Sequence, residues 1–308
     1  KRRKRDTMRN GWRLGIDLGG TQVKLALVDE RGGIRELQRV DTDRRPTALV
    51  AALKKAVTPW LRRPLRGTGV GVAGDVDPVK GVVRFAPNLR WNNVPLAALF
   101  KKHRFPRPLF VENDANAAAW GAYHLEFRRR VQNLVAFTLG TGVGGGLILG
   151  GRLYRGASGT AGELGHMVIE ADGAPCACGN RGCLEAYLGG AAMVAWARRE
   201  YRRTGRAAGE LDPKILEDRA RAGDRIARAA WRRASRAFGV ALANVLNIFN
   251  PEAILLAGGV ARGAPLFLPA ARKVMAARAF GTPARAVQIT VSRRSADLGV
   301  AGAALLVP

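Results

Sequence analysis

Cysteine is scarce in this 308-residue chain: there are three, all within the eight positions 176–183. An odd count so crowded excludes a disulfide framework and points to a metal site in a reducing compartment. Long apolar runs are missing as well. The longest, such as 237–249, is interrupted by Asn and falls short of the roughly 20 residues that span a bilayer, so no membrane span is expected. No apolar segment that could form a signal-peptide core follows the basic run Lys1-Arg2-Arg3-Lys4-Arg5, and the expected location is the cytoplasm. Met8 fits a natural start, and residues 1–11 are expected to form a disordered basic tail. No Gly-Lys-Ser/Thr ending of a Walker A loop occurs, which argues against a P-loop fold.

Acid is also short: 24 Asp+Glu face 51 Lys+Arg, a formal charge of +27, and 41 of the basic residues are Arg. Such an excess attracts anions and bears on partners, not on fold, while solubility alone explains an Arg-rich surface. Arg221, Arg225, Arg228, Arg232 and Arg236 would form one stripe on a helix, with Ile226, Ala230, Ala234 and Phe238 on a separate apolar face. A stripe of that kind suits a polyanion such as polyphosphate.

What the chain has in quantity is glycine, 38 residues without a period, in a composition 47% hydrophobic. Length and composition indicate a globular protein of about two domains. Leu14-Gly15-Ile16-Asp17-Leu18, Gly19-Gly20-Thr21 and the alternating Val23, Leu25 and Leu27 read as strand, tight turn and strand. The pattern returns at 134–139, 140–145 and 146–149, which predicts a two-fold repeat of α/β halves. Helices are expected at 46–61, 115–127, 224–247, 265–280 and 296–307, and strands at 68–73, 108–111 and 253–256, the last running into Gly258-Gly259.

A glycine turn between strands leaves backbone N–H groups to point at one anion; Asp17 adds a carboxylate suited to Mg²⁺, and Thr21 and Thr141 add hydroxyls. Residues 140–145 match G-x-G-x-x-G, but a strand follows where a dinucleotide site needs a helix. Glu112-Asn113-Asp114 lies at a strand end, where open α/β sheets bind ligands. Asp114 there serves either as a general base or as a helix cap, and both readings stand at this point. His166 with Cys176, Cys178 and Cys183 supplies the ligands of a closed, structural tetrahedral Zn²⁺ beside Glu163 and Glu185.

Asp17-Leu18-Gly19-Gly20-Thr21, Glu112-Asn113-Asp114-Ala115-Asn116, the run 139–146, Gly162-Glu163-Leu164-Gly165-His166 and the cysteine loop through Glu185 together resemble the ROK group of repressors, open reading frames and sugar kinases, over residues 12–308. The resemblance is strongest to its bacterial glucokinases. It implies a duplicated actin-like, hexokinase-type α/β fold around a cleft: a small domain of 12–117 with 296–308, and a larger one of 118–295 that carries the zinc loop. By motif position Asp114 is the expected catalytic base, and Asn88, Asn113, Asp114, Glu163, His166 and Glu185 bind sugar, with Gly74 nearby. Asp17, Gly19, Gly20, Thr21, Lys24, Gly140, Thr141, Gly142, Gly258 and Gly259 are the expected nucleotide residues.

The implied reaction is transfer of the γ-phosphate of ATP, with Mg²⁺, to the 6-hydroxyl of glucose by a homodimer or homotetramer. Alternatives are another hexose such as N-acetylglucosamine, mannose or fructose, polyphosphate as donor, or a sugar-sensing DNA-binding regulator. The sixteen residues before Asp17 are fewer than a winged helix needs, so nucleic acid is not an expected partner. Many glucokinases of the group read Glu-Gln-Tyr-Ala-Ser-Gly where this chain has Glu185-Ala186-Tyr187-Leu188-Gly189-Gly190.

Overall fold

The structure, a computed structural model, describes residues 11–308; the basic run and Met8 lie outside the described residues. The chain opens with an antiparallel hairpin, β1 (Trp12–Leu18) and β2 (Gln22–Val28), followed by β3 (Ile34–Asp41). Leu14, Ile16 and Leu18 of β1 and Val23, Leu25 and Leu27 of β2 are fully buried, as the period-two pattern requires. Helix α1 (Pro46–Val57) starts on a proline already fixed at helical φ and buries Leu49, Val50, Leu53 and Val57. It ends short of the expected 61, because Pro59 has no N–H for an α-helical bond, and a 3₁₀ turn, Thr58–Arg62, takes its place.

Next come β4 (Leu65–Val72), the strands β5 (Asp75–Asp77), β6 (Val82–Ala86) and β7 (Trp91–Val94) of a separate small sheet, helix α2 (Leu96–Lys102), β8 (Leu109–Asn113) and helix α3 (Asp114–Leu125). The first large sheet is ordered β3-β2-β1-β4-β8, with β1, β4 and β8 parallel.

The second half begins with β9 (Leu134–Leu139), β10 (Val143–Leu149) and β11 (Arg152–Tyr154). Here β10 starts at Val143 instead of at 146, so the glycine turn is only 140–142. The helices α4 (Glu185–Leu188), α5 (Gly190–Arg203), α6 (Pro213–Arg221) and α7 (Arg225–Phe249) lead to β12 (Ala253–Ala257). After it come α8 (Ala264–Ala276), α9 (Gly281–Ala286), β13 (Gln288–Val291) and α10 (Leu298–Leu305). The second sheet is ordered β11-β10-β9-β12-β13, with β9, β12 and β13 parallel. Third, second, first, fourth, fifth is the order of both sheets, so the expected duplication is present.

The chain divides into two compact units: the described residues up to Arg130 with Gly146–Gly162 and Ala296–Pro308, and Val131–Gly145 with Glu163–Ser295. This division falls later than the expected boundary at 117, because α3 packs on α10 inside the first unit. A Cβ on Gly302 would lie 1.8 Å from the Ala117 carbonyl oxygen, and one on Gly121 2.5 Å from that of Leu298, so only glycine permits the approach. The arginine stripe is broken in the structure. Arg221 ends α6 and pairs with Glu217 at 2.8 Å, and Arg228 on α7 donates to the Ala220 carbonyl at 3.1 Å. Ile226, Ala230, Ala234 and Phe238 do form the buried face of α7. No helix among the described residues is long and apolar enough to cross a membrane.

Candidate functional site

In the first unit, Asp17 stands near the end of β1 opposite Lys24 in the hairpin register. Burial pushes its carboxyl above the ordinary carboxylate range, with Lys24 pulling the other way. The first turn of α10 closes on it: a Cβ on Gly299 would sit 2.9 Å from Asp17 Oδ2. Lys24, expected at the nucleotide, donates to the Ala296 carbonyl at 2.9 Å. Its partner is thus a backbone group just before α10. Thr42 closes the glycine turn by donating from its hydroxyl to the Gly19 carbonyl at 2.8 Å. A Cβ on Gly20 would meet the Cβ of Asn88 at 3.0 Å, so a phosphate-turn residue and an expected sugar residue are neighbours.

The end of β8 shows which residue caps α3. Asn113 is the N-cap; its Oδ1 accepts from the Ala115 and Asn116 N–H groups at 2.9 and 3.0 Å, and its Nδ2 donates to the Gly74 carbonyl at 3.1 Å. Asp114, expected as the first residue outside the helix, is the first residue within it, and its Oδ1 accepts from Ala115 N–H at 2.9 Å. The amide satisfies two orphan donors of the first turn, the task the alternative reading gave to Asp114.

In the second unit, one ligand atom each from His166, Cys176, Cys178 and Cys183 lies within 4.8 Å of all the others. Cys178 Sγ is 3.8 Å from Cys183 Sγ, and Cys176 Sγ is 3.9 Å from His166 Nδ1. A tetrahedron with metal–sulfur bonds of about 2.3 Å has an edge of about 3.8 Å, so donor set and spacing both fit a closed four-coordinate metal. Glycine-rich backbone bends the loop: Gly179 and Gly182 have φ of 92° and 73°.

Glu185 connects this loop to the second glycine turn. Its Oε2 accepts from Val143 N–H at 2.8 Å, and its Oε1 lies 3.9 Å from Cys176 Sγ. A Cβ on Gly142 would fall 2.2 Å from Glu185 Oε2. The turn is less open to an anion than the motif suggests, because Gly140 N–H donates to the Gly142 carbonyl at 3.0 Å and Val143 N–H to Glu185. Its carbonyls are engaged too: Gly190 and Ala191, opening α5, donate to Gly140 and Thr141. Gly190 permits this, since a Cβ there would meet the Gly140 oxygen at 2.8 Å. Glu163 lies within the same segment, its carbonyl accepting from His166 N–H at 3.0 Å.

A cavity of about 240 Å³ in the second unit brings Gly140 and Thr141 together with Gly259, and Asp212, Lys214, Glu217, Trp231 and Arg262 also line it. Gly258 packs against β9, with φ of 96° and its Cβ direction 2.3 Å from the Leu139 oxygen. Sequence reasoning missed the cavity residues other than Gly140, Thr141 and Gly259, because they come together only through helix packing. It also missed Arg155, whose Nε donates to Glu112 Oε2 at 2.6 Å across 43 residues of sequence.

The ROK family matches residues 13–308. A glucokinase of Streptomyces coelicolor is 37% identical over 275 residues, 85% of this chain and 86% of that protein. A xylose repressor of Caldicellulosiruptor bescii is 30% identical over 91% of this chain and 74% of its own length. Among solved structures, a ROK family glucokinase from Streptomyces griseus in complex with glucose and AMPPNP has a TM-score of 0.82 at 34% identity, covering 96% of this chain and 99% of that one. The chain belongs to the ROK family.

Proposed function

We propose that the chain is an ATP-dependent hexose kinase that transfers the γ-phosphate to the 6-hydroxyl of glucose, with Asp114 as general base. The observation that carries the reading is the division of labour at α3. Asn113 caps the helix, so Asp114 is not required for that task and its carboxylate can take the hydroxyl proton as the oxygen attacks phosphorus. Asn88, Asn113, Glu163, His166 and Glu185 are the proposed ligands of the sugar hydroxyls. Gly19, Gly20 and Thr21, with Thr141 and Gly142, are the proposed phosphate donors, and Gly258 and Gly259 border the adenosine. Lys24 acts here through its charge beside Asp17 and not as a direct ligand.

Asp17, whose ionised form burial disfavours, gains from a divalent cation and would hold Mg²⁺ with the donor. Mg²⁺ would neutralise charge on the transferring phosphoryl group. His166, Cys176, Cys178 and Cys183 would hold Zn²⁺, whose four protein ligands make it structural. Such an ion would order the loop that carries Glu185 and one proposed sugar ligand directly, His166.

The test is a coupled assay of the purified chain and of Asp114→Asn across glucose, mannose, fructose and N-acetylglucosamine, each with ATP or polyphosphate. Glucose with Mg–ATP is expected to give the highest kcat/KM, and the variant to lose about 10² to 10⁴ in kcat while keeping its glucose affinity. A variant that keeps more than about a tenth of kcat would remove Asp114 from the mechanism. Because a repressor is among the relatives, a gel-shift against random duplex with and without glucose is the companion measurement. Sugar-dependent retardation without turnover would replace the kinase with a regulator.

A further inference from the structure

Glu112 takes no part in the chemistry just proposed, yet it is the most buried acid among the described ion pairs, its side chain 2% exposed. It occupies the last position but one of β8. Its Oε1 accepts from the Asn113 backbone N–H at 3.0 Å and from Asn116 Nδ2 at 3.1 Å, and its Oε2 accepts from Arg155 Nε at 2.6 Å. Asn113 and Asn116 flank Asp114, so one carboxylate ties both sides of the turn that carries the proposed base. Asn116 is itself buried.

Arg155 is mounted firmly. It follows β11, and its carbonyl accepts from Ala161 N–H at 3.0 Å. Three residues on, the Ser158 carbonyl accepts from Arg84 at 2.8 Å, and Arg84 in turn pairs with Asp75 at 2.7 Å. A buried carboxylate deprived of its cation either moves toward water or takes up a proton, and both change what it can hold. Among the described ion pairs, only Arg155 supplies positive charge to Glu112.

We propose that Arg155 is a positioning residue for Asp114: it compensates Glu112, so that Glu112 can fix Asn113 and Asn116 and with them the first turn of α3. The proposal rests on the reading of Asp114 as the base. A reacting group displaced by about 1 Å loses about 10²-fold in rate, which sets the size of the effect. Sugar affinity carries a smaller penalty, because Glu112 holds only the backbone N–H of Asn113, whose side chain keeps its own bonds to the Gly74 carbonyl and to the Ala115 and Asn116 N–H groups.

The experiment is steady-state kinetics of the full chain with glucose and Mg–ATP, with a thermal melt of each variant. Arg155→Met is expected to lower kcat about 10²-fold with glucose KM changed less than about threefold, and Arg155→Lys to recover about a tenth of the lost rate or more. The double variant Glu112→Gln, Arg155→Met is expected to outperform Arg155→Met by about tenfold, because a neutral amide needs no cation and keeps an oxygen for Asn113 and Asn116. If Arg155→Met melts below the assay temperature, the Lys and double variants carry the test. Asp114→Asn run alongside separates the two readings. An active Asp114→Asn removes the base and the proposal with it. An inert Asp114→Asn beside an Arg155→Met at wild-type kcat, a loss confined to KM, or a double variant no better than the single one overturns the positioning role alone.

Discussion

Gly142→Ala asks what the second glycine turn is for. The added methyl would stand 2.2 Å from Glu185 Oε2 and 3.1 Å from its Cδ. Ordinary contact requires the carboxylate to recede by about 1 Å. Receding breaks the 2.8 Å bond from Val143 N–H, and the other oxygen already lies 3.9 Å from Cys176 Sγ, which limits the escape. Loss of one hydrogen bond to a charged group costs about 1.5 to 3 kcal/mol, equivalent to about 10- to 10²-fold in affinity if Glu185 then fails to meet the sugar. Calorimetric titration with glucose and, separately, with a non-hydrolysable ATP analogue reads the two ligands independently. Glucose Kd is expected to rise by that factor while the nucleotide Kd changes far less, and Gly142→Ala with Glu185→Asp, whose side chain is one methylene shorter, should recover part of the loss. A variant whose nucleotide binding falls more than its glucose binding would refute the reasoning and assign Gly142 to the phosphates alone.

The purified protein is expected to carry about one Zn²⁺ per chain, and Cys178→Ala to weaken glucose binding before nucleotide binding; zinc-free protein that stays active after chelation would end that assignment. His124 on α3 has its Nε2 buried without a hydrogen-bond partner, and burial, aided by Arg129 and Arg13, pulls its pKa from 6.5 down to about 4. The unfolded chain therefore takes up the proton first, so stability fully present above about pH 6.5 is lost as pH falls toward 4, by about 1–2 kcal/mol once partial exposure is allowed for. Urea melts of the wild type and His124→Gln from pH 7 to 4.5 check this, and equal slopes would exclude His124 as the source. Mg–ATP turnover is expected to respond weakly to salt; polyphosphate turnover that exceeds it at low salt and collapses as salt rises would give Arg225, Arg228, Arg232 and Arg236 a donor role.

Local chemistry was legible in the sequence wherever a few adjacent residues sufficed. The hairpins with their glycine turns follow from period-two patterning, and the His166 and cysteine cluster follows from composition and crowding. What could not be read were choices between neighbours and pairings across long stretches of chain. Asn113 and Asp114 are both good caps, and only the backbone path into α3 gives the task to Asn113. That Lys24 lies beside a glycine turn is plain in the sequence, but its bond to the Ala296 carbonyl, just before α10 at the far end of the chain, is not. Arg221 fits the periodicity of Arg225 and Arg228, but Asp224 caps a new helix between them through the Ile226 and Ala227 N–H groups. The small sheet of β5, β6 and β7 was missed because strands of three to five residues with mixed exposure leave little pattern.

The glycine contacts of α10 set an order of events in synthesis. Gly15 of β1 and Gly69 of β4 have Cβ directions 2.2 Å and 1.7 Å from the Val300 and Ala303 oxygens, so this helix lies directly on the backbone of the first sheet. Its residues are translated after all of the second unit. The half that leaves the ribosome first must therefore wait with one face of its sheet uncovered, while the second unit can complete itself from residues already available. In a chain built this way a helix made after the second unit closes the structure begun before it.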